Sequence, residues 1–140
     1  LHHVWVVEGD RPLLVTAPHN IYLCRDGHDP HMMEEYTTLI AQRMARQLGG
    51  TCLTWSRPEQ YRSELLWNFG CRRAAAGQTS EAGGMLHRRN RDPNFLLPEE
   101  VASNPWFRQV SAAADRFRSG PGATKPALHV DVHGCRDPPV

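Results

Sequence analysis

An alternating apolar run that ends on an imidazole constrains this chain most. Residues 127–132 read Ala-Leu-His-Val-Asp-Val, and His133-Gly134 follow directly. A period of two predicts a β-strand that delivers His133 to its carboxyl tip. The run Pro12-Leu13-Leu14-Val15-Thr16-Ala17 predicts a second strand, ending on Pro18-His19-Asn20. Open α/β sheets place their chemistry at the carboxyl ends of their strands. Two histidines at two strand ends, each followed by turn residues, suit a metal better than a core, and zinc is the first candidate.

A chain of 140 residues makes one domain with a real core, yet it is short for a complete doubly wound enzyme. The expectation is a single α/β domain over 1–140 that lacks the C-terminal strands of the full fold. A formal net charge of +1 gives no electrostatic drive toward nucleic acid or anionic membranes. No apolar run approaches the roughly 20 residues that span a bilayer, and no signal-peptide pattern opens the chain. A cytoplasmic protein acting on a small molecule is therefore expected. Cys24, Cys52, Cys71 and Cys135 are too irregularly spaced for a thiolate zinc motif or a redox pair and read as small apolar residues.

Along the chain, residues 3–8 and 13–17 predict two strands joined as a hairpin by Gly9-Asp10-Arg11-Pro12. Asp29-Pro30 has the cap chemistry of a helix start, and Met33, Thr37, Ile40, Met44 and Leu48 recur at helical spacing until Gly49-Gly50. A strand over 51–55 follows. Residues 63–76 have helical character, and 77–84 are a polar loop. Asn104-Pro105 opens another helix, with Trp106, Val110, Ala113 and Phe117 on one face until Ser119-Gly120. The sum is an α/β fold with a mixed, largely parallel sheet flanked by helices.

A catalytic zinc takes three protein ligands and leaves one position open. His19 and His133 supply two. The third is expected from the start of the first helix, where Glu34 and Glu35 stand. On a helical wheel Glu34 lies nearer the apolar face, so it is the better placed of the two. His31 and Glu34 form a rival His-x-x-Glu pair, with His31 in the helix's first turn.

Four short motifs occur in order: Ala17-Pro18-His19-Asn20, the run Met33-Glu34-Glu35-Tyr36-Thr37-Thr38-Leu39-Ile40-Ala41, then Asn90-Arg91-Asp92-Pro93, and Asp131-Val132-His133-Gly134. Together they resemble the N-formylglutamate amidohydrolase group of the zinc-carboxypeptidase-like superfamily. The resemblance implies that fold, zinc held by His19, Glu34 and His133, and hydrolysis of an amide next to a carboxylate. It also implies that Asn90 and Arg91 clamp the substrate's free carboxylate, a role that suits the planar guanidinium fork. Asn20 departs from the glycine or serine usual after the first histidine.

Such enzymes carry a general-base glutamate on a later strand, so the base is expected beyond Val140. A second expectation keeps the fold and metal without the chemistry, as a binding or structural module. His129 and Asp131 share a strand face with His133, either as acceptors that orient a metal ligand or as a hydrogen-bonded core pair. His2, His3, His28 and His87 read as loop or terminal residues, and Trp5, Trp55, Trp67 and Trp106 as core packing.

Overall fold

The computed structural model describes residues 4–21, 23, 25, 31, 33–34, 36–55, 91–120 and 126–134. The Asp29-Pro30 dipeptide, Glu35, Asn90, the region 63–84, and Cys24, Cys71 and Cys135 lie outside the described residues. So do His2, His3, His28, His87 and Trp67.

Four strands form one mixed sheet in the order β1-β3-β2-β4: β1 Trp5–Val7, β2 Leu13–Ala17, β3 Thr51–Thr54 and β4 Leu128–Asp131. Two of the three pairings are parallel, β2 with β3 and β2 with β4. The molecule is thus α/β. All five residues of β2 are buried, as a central strand covered on both faces requires.

The hairpin does not form. β1 runs antiparallel on β3, with Trp5 opposite Thr54, because β3 and β4 occupy both edges of β2. The chain from β1 passes instead under the end of the first helix. Gly9 N–H donates to Thr51 Oγ1 at 3.2 Å, and Arg11 N–H to the Gly49 carbonyl at 2.9 Å. A Cβ on Gly9 would lie 2.3 Å from the Gly50 backbone, so the crossing needs glycine there.

Helix α1 spans Thr37–Leu48 and starts later than Asp29-Pro30 predicts. Met33 and Glu34 are not helical, since Glu34 N–H is committed to the His19 carbonyl at 2.9 Å. Tyr36, at φ 66°, turns the chain into the helix, and Gly49, at φ 69°, ends it. The buried face matches the predicted stripe at Met33, Thr37 and Met44 but not at Ile40 and Leu48. Thr37, Thr38, Ala41 and Ala45 face the sheet, whereas Ile40 and Leu48 are each 49% exposed. Small side chains let the helix axis approach the strands closely, and Leu39, Ile40 and Leu48 are rotated outward.

Helix α2 is the single turn Pro98–Val101, and α3 spans Pro105–Ser119. The start of α3 follows the cap chemistry of its sequence: the Asn104 side chain accepts from Trp106 N–H at 2.9 Å, with Pro105 at the first helical position. Two apolar clusters result. Leu14, Ile21, Leu23, Leu53, Trp55, Trp106 and Ala113 pack on one face of the sheet, with Val110 and Phe117 of α3 against them. Leu13, Val15, Ala17, Cys52, Ala41 and Ala45 pack on the other, beneath α1. Trp55 and Trp106 stack with ring centroids 5.1 Å apart.

Candidate metal centre

The parallel register of β2 on β4 decides where the two strand-end histidines fall. Thr16 pairs with Asp131, and Val132 N–H donates to the Thr16 carbonyl at 2.8 Å. The chain beyond each strand therefore emerges side by side at one carboxyl edge. The His19 and His133 rings lie there with centroids 4.9 Å apart. Behind His19, the turn is pinned to the end of β3: Trp55 N–H donates to Asn20 Oδ1 at 3.0 Å and Trp55 Nε1–H to the Pro18 carbonyl at 2.7 Å. Asn20 is fully buried and supplies a side-chain acceptor that glycine lacks.

Glu34 reaches the same point without a helix to present it. Its backbone is tied to His19, and its carboxylate is fixed from β4, where Gly134 N–H donates to Oε2 at 2.9 Å. His19 Nδ1 lies 3.1 Å from Glu34 Oε1, and His133 Nδ1 lies 3.5 Å from Glu34 Oε2. One ligand atom from each of His19, Glu34 and His133 lies within 4.8 Å of the others.

Each imidazole is held from behind by an aspartate. His19 Nε2–H donates to Asp92 Oδ1 at 3.1 Å, and His133 Nε2–H to Asp131 Oδ2 at 3.2 Å. Both Nδ1 atoms face Glu34, and with the proton on Nε2 they would be free to ligate, an arrangement typical of metal-ligating histidines with acceptors on their far nitrogens. Asp131 is positioned by Thr16 Oγ1–H, which donates to Oδ1, and His129 Nε2 lies 2.8 Å from the same hydroxyl. The chain His129, Thr16, Asp131, His133 thus orients a candidate ligand.

The donor chemistry fits a small divalent cation. His19 Nδ1 faces Glu34 Oε1 at 3.1 Å and His133 Nδ1 faces Oε2 at 3.5 Å, so the carboxylate stands between the two nitrogens with one oxygen toward each, and such nitrogen and oxygen donors suit an ion of this kind. Electrostatics points the same way. Both nitrogens of buried His19 face carboxylates, so its pKa is raised: burial lowers it, but Asp92 and Glu34 outweigh that effect. The pocket at Nδ1 favours a positive charge, which a proton or a metal supplies. Burial would raise the Asp92 carboxyl, yet hydrogen bonds from His19, Arg25 and the Asn94 amide hold it well below the usual carboxylate range.

His31 stands beside the centre but not on a helix. It bridges Leu23 through two backbone bonds, with its ring 4.0 Å from that of His19 and its Nε2 3.5 Å from Glu34 Oε1. Burial, then the neighbouring His19 and Arg25, push its pKa down. A second triad, His19, His31 and Asp92, also converges. It suits a cation less well, because Asp92 Oδ2 already accepts from Arg25 Nε at 2.6 Å and an ion there would face a guanidinium.

Arg91 sits apart. Its Nη2 donates to Glu100 Oε2 at 3.1 Å, at a cavity of about 190 Å³ lined also by Trp55, Leu96, Ser103, Asn104 and Pro105. None of His19, Glu34 and His133 lines that cavity. Sequence reasoning did not assign Arg25 or Asp92. Asp92 carried a signal, since it immediately precedes Pro93 and its side chain accepts from Asn94 N–H, but Arg25 carried none. Cys52 is buried and free, its thiol pushed up to about 12 by burial, which makes it an inert core residue. Among the described residues no helix is long and apolar enough to cross a membrane. No family model, curated protein or solved structure matches the chain.

Proposed function

We propose that the chain is a zinc-dependent hydrolase of the N-formylglutamate amidohydrolase-like group, with the zinc-carboxypeptidase-like fold, cleaving an amide next to a carboxylate. The observation that carries this reading is the pair of imidazoles that turn Nδ1 toward one carboxylate while an aspartate holds each Nε2. His19, Glu34 and His133 would hold the ion, which when bound supplies a Lewis acid and a water acidic enough to be a nucleophile near neutral pH. Asp92 and Asp131 keep the ligands in the required tautomer. The motif order nominates Asn90 and Arg91 for the substrate carboxylate, a role that would require Arg91 to leave Glu100.

One observation favours the second reading, a metal-binding module without turnover. Among the described residues, Glu34 is a ligand candidate and Asp92 and Asp131 are occupied with histidines, which leaves no carboxylate at the centre for proton transfer. Metal analysis of protein purified without added ions, with His19→Ala and His133→Ala alongside, tests the centre. About one zinc per chain, lost in both variants, is expected; equal zinc content in all three excludes it. Zinc-dependent release of formate from N-formylglutamate by the wild type, absent from both variants, separates the hydrolase from the module.

A further inference from the structure

Arg25 enters the centre from a side that none of the motifs marks. Its Nε–H donates to Asp92 Oδ2 at 2.6 Å, while the other oxygen of that carboxylate accepts from His19 Nε2–H at 3.1 Å. One fully buried aspartate therefore spans an arginine and a candidate metal ligand. Arg25 Cζ also lies 4.3 Å from the centroid of the Phe95 ring, and the side chain is 22% exposed. Ion pair and ring contact together hold the guanidinium in place, as cation–π contacts do when partly desolvated.

Nε is the one guanidinium nitrogen of Arg25 with a hydrogen-bond partner among the described residues. The two terminal nitrogens form the edge of the fork that matches a carboxylate with parallel N–H donors. An arginine anchored through Nε and by its ring contact has already lost most of its rotamer freedom, so it binds an anion at little further entropic cost. Arg91 differs, because its terminal nitrogen is already spent on Glu100.

We infer that Arg25 binds the free carboxylate of the substrate beside the His19 cluster, an assignment that rests on the hydrolase reading for its substrate but not for its anion site. The test compares binding of N-acetylglycine and of N-acetylglycinamide, which lacks the charge, by calorimetry. Wild type, Arg25→Lys, Arg25→Gln and Arg91→Gln are measured with zinc content and thermal melts in parallel. Wild type should prefer the acid by roughly tenfold to a hundredfold, the range of a charge-assisted hydrogen-bonded pair. Arg25→Lys keeps a cation for Asp92 but not the fork, so it should fold, retain zinc and lose most of that preference; it decides the matter should Arg25→Gln not fold. An acid preference that survives in Arg25→Lys, that is lost only in Arg91→Gln, or that wild type never shows would overturn the assignment. Wild type that binds no zinc yet prefers the acid through Arg25 would instead overturn the hydrolase reading and leave the anion site standing.

Discussion

The centre contains the same device twice, an imidazole with an aspartate behind it, in two different settings. On the His19 side the histidine side chain is 4% exposed and Asp92 is fully buried, with Arg25 closing the set. On the His133 side the histidine is 40% exposed and Asp131 42%. Distances barely differ, 3.1 against 3.2 Å. What differs is solvent. A buried pair carries a desolvation cost that only its full set of partners offsets, whereas an exposed pair is screened and contributes little to stability. The comparison separates two jobs that one geometry can do: the His19 side is part of the fold, and the His133 side mainly orients a candidate ligand.

The largest expected effect is therefore that of Asp92→Asn. It leaves Arg25 and His19 facing a neutral amide in a buried site, and breaking such a pair costs about 3 kcal/mol. Chemical denaturation should show that loss. Zinc affinity should fall by roughly 10- to 100-fold, as for other partners that orient a metal ligand. Full stability in Asp92→Asn would place both aspartates in one class and break the contrast.

Removing the imidazoles gives the next effect. His19→Ala takes from Asp92 one of its hydrogen bonds inside the protein, so metal-free stability should drop by about 1–3 kcal/mol. His133→Ala removes a ring already in contact with water, and its metal-free melt should stay near that of wild type. Equal losses in the two variants would show that exposure does not divide the two sides.

The pH dependence follows from the buried side alone. The Asp92 pKa is lowered, so its contribution is present above its ordinary value of 3.8 and is lost as pH falls through the depressed value. The His19 pKa is raised, so its contribution is full below 6.5 and is lost as pH rises through the elevated value. Metal-free protein should thus gain from this pair between about 3.8 and 6.5 and lose the His19 part on the alkaline side. Zinc bound at the proposed site would have the opposite slope, because the ion would compete with the proton on Nδ1. The zinc-induced rise in melting temperature should grow from pH 6 to about pH 8, and a shift that shrinks over that range would remove His19 from the ligand set.

What the sequence disclosed and what it hid follow a similar division between local and distant causes. β2, β4 and the start of α3 were legible because alternation and the Asn104-Pro105 cap act within a few residues. The meeting of His19 with His133 was legible through the convergence of parallel strand ends. Strand order was not, since the turn chemistry of 9–12 is silent on which edge is already occupied by β3. Glu34 was placed by a helical wheel, yet backbone bonds to His19 and Gly134 bring it to the cluster instead. The apolar stripe held at Met33, Thr37 and Met44 but misled at Ile40 and Leu48, because the small residues Ala41 and Ala45 took the places against the sheet. Arg25 was invisible, its role set by Asp92 and Phe95 from the distant 91–95 segment.

The smallest effect is the sharpest check on the comparison. In Asp131→Asn the amide oxygen can still accept from His133 Nε2–H or, turned the other way, from the buried Thr16 Oγ1–H, while water reaches the side chains of residues 131 and 133. Stability should change by less than about 1 kcal/mol. Zinc affinity should fall, but by no more than about tenfold, the low end for such partners, because a neutral acceptor still holds the tautomer and only the added basicity of the ring is lost. A zinc loss as large as that of Asp92→Asn, with stability unchanged, would mean that the two aspartates tune the ion equally and that burial governs only folding. A stability loss as large would mean that the Thr16, His129 and Asp131 contacts anchor β4 to β2, and the His133 side would join the His19 side as part of the fold.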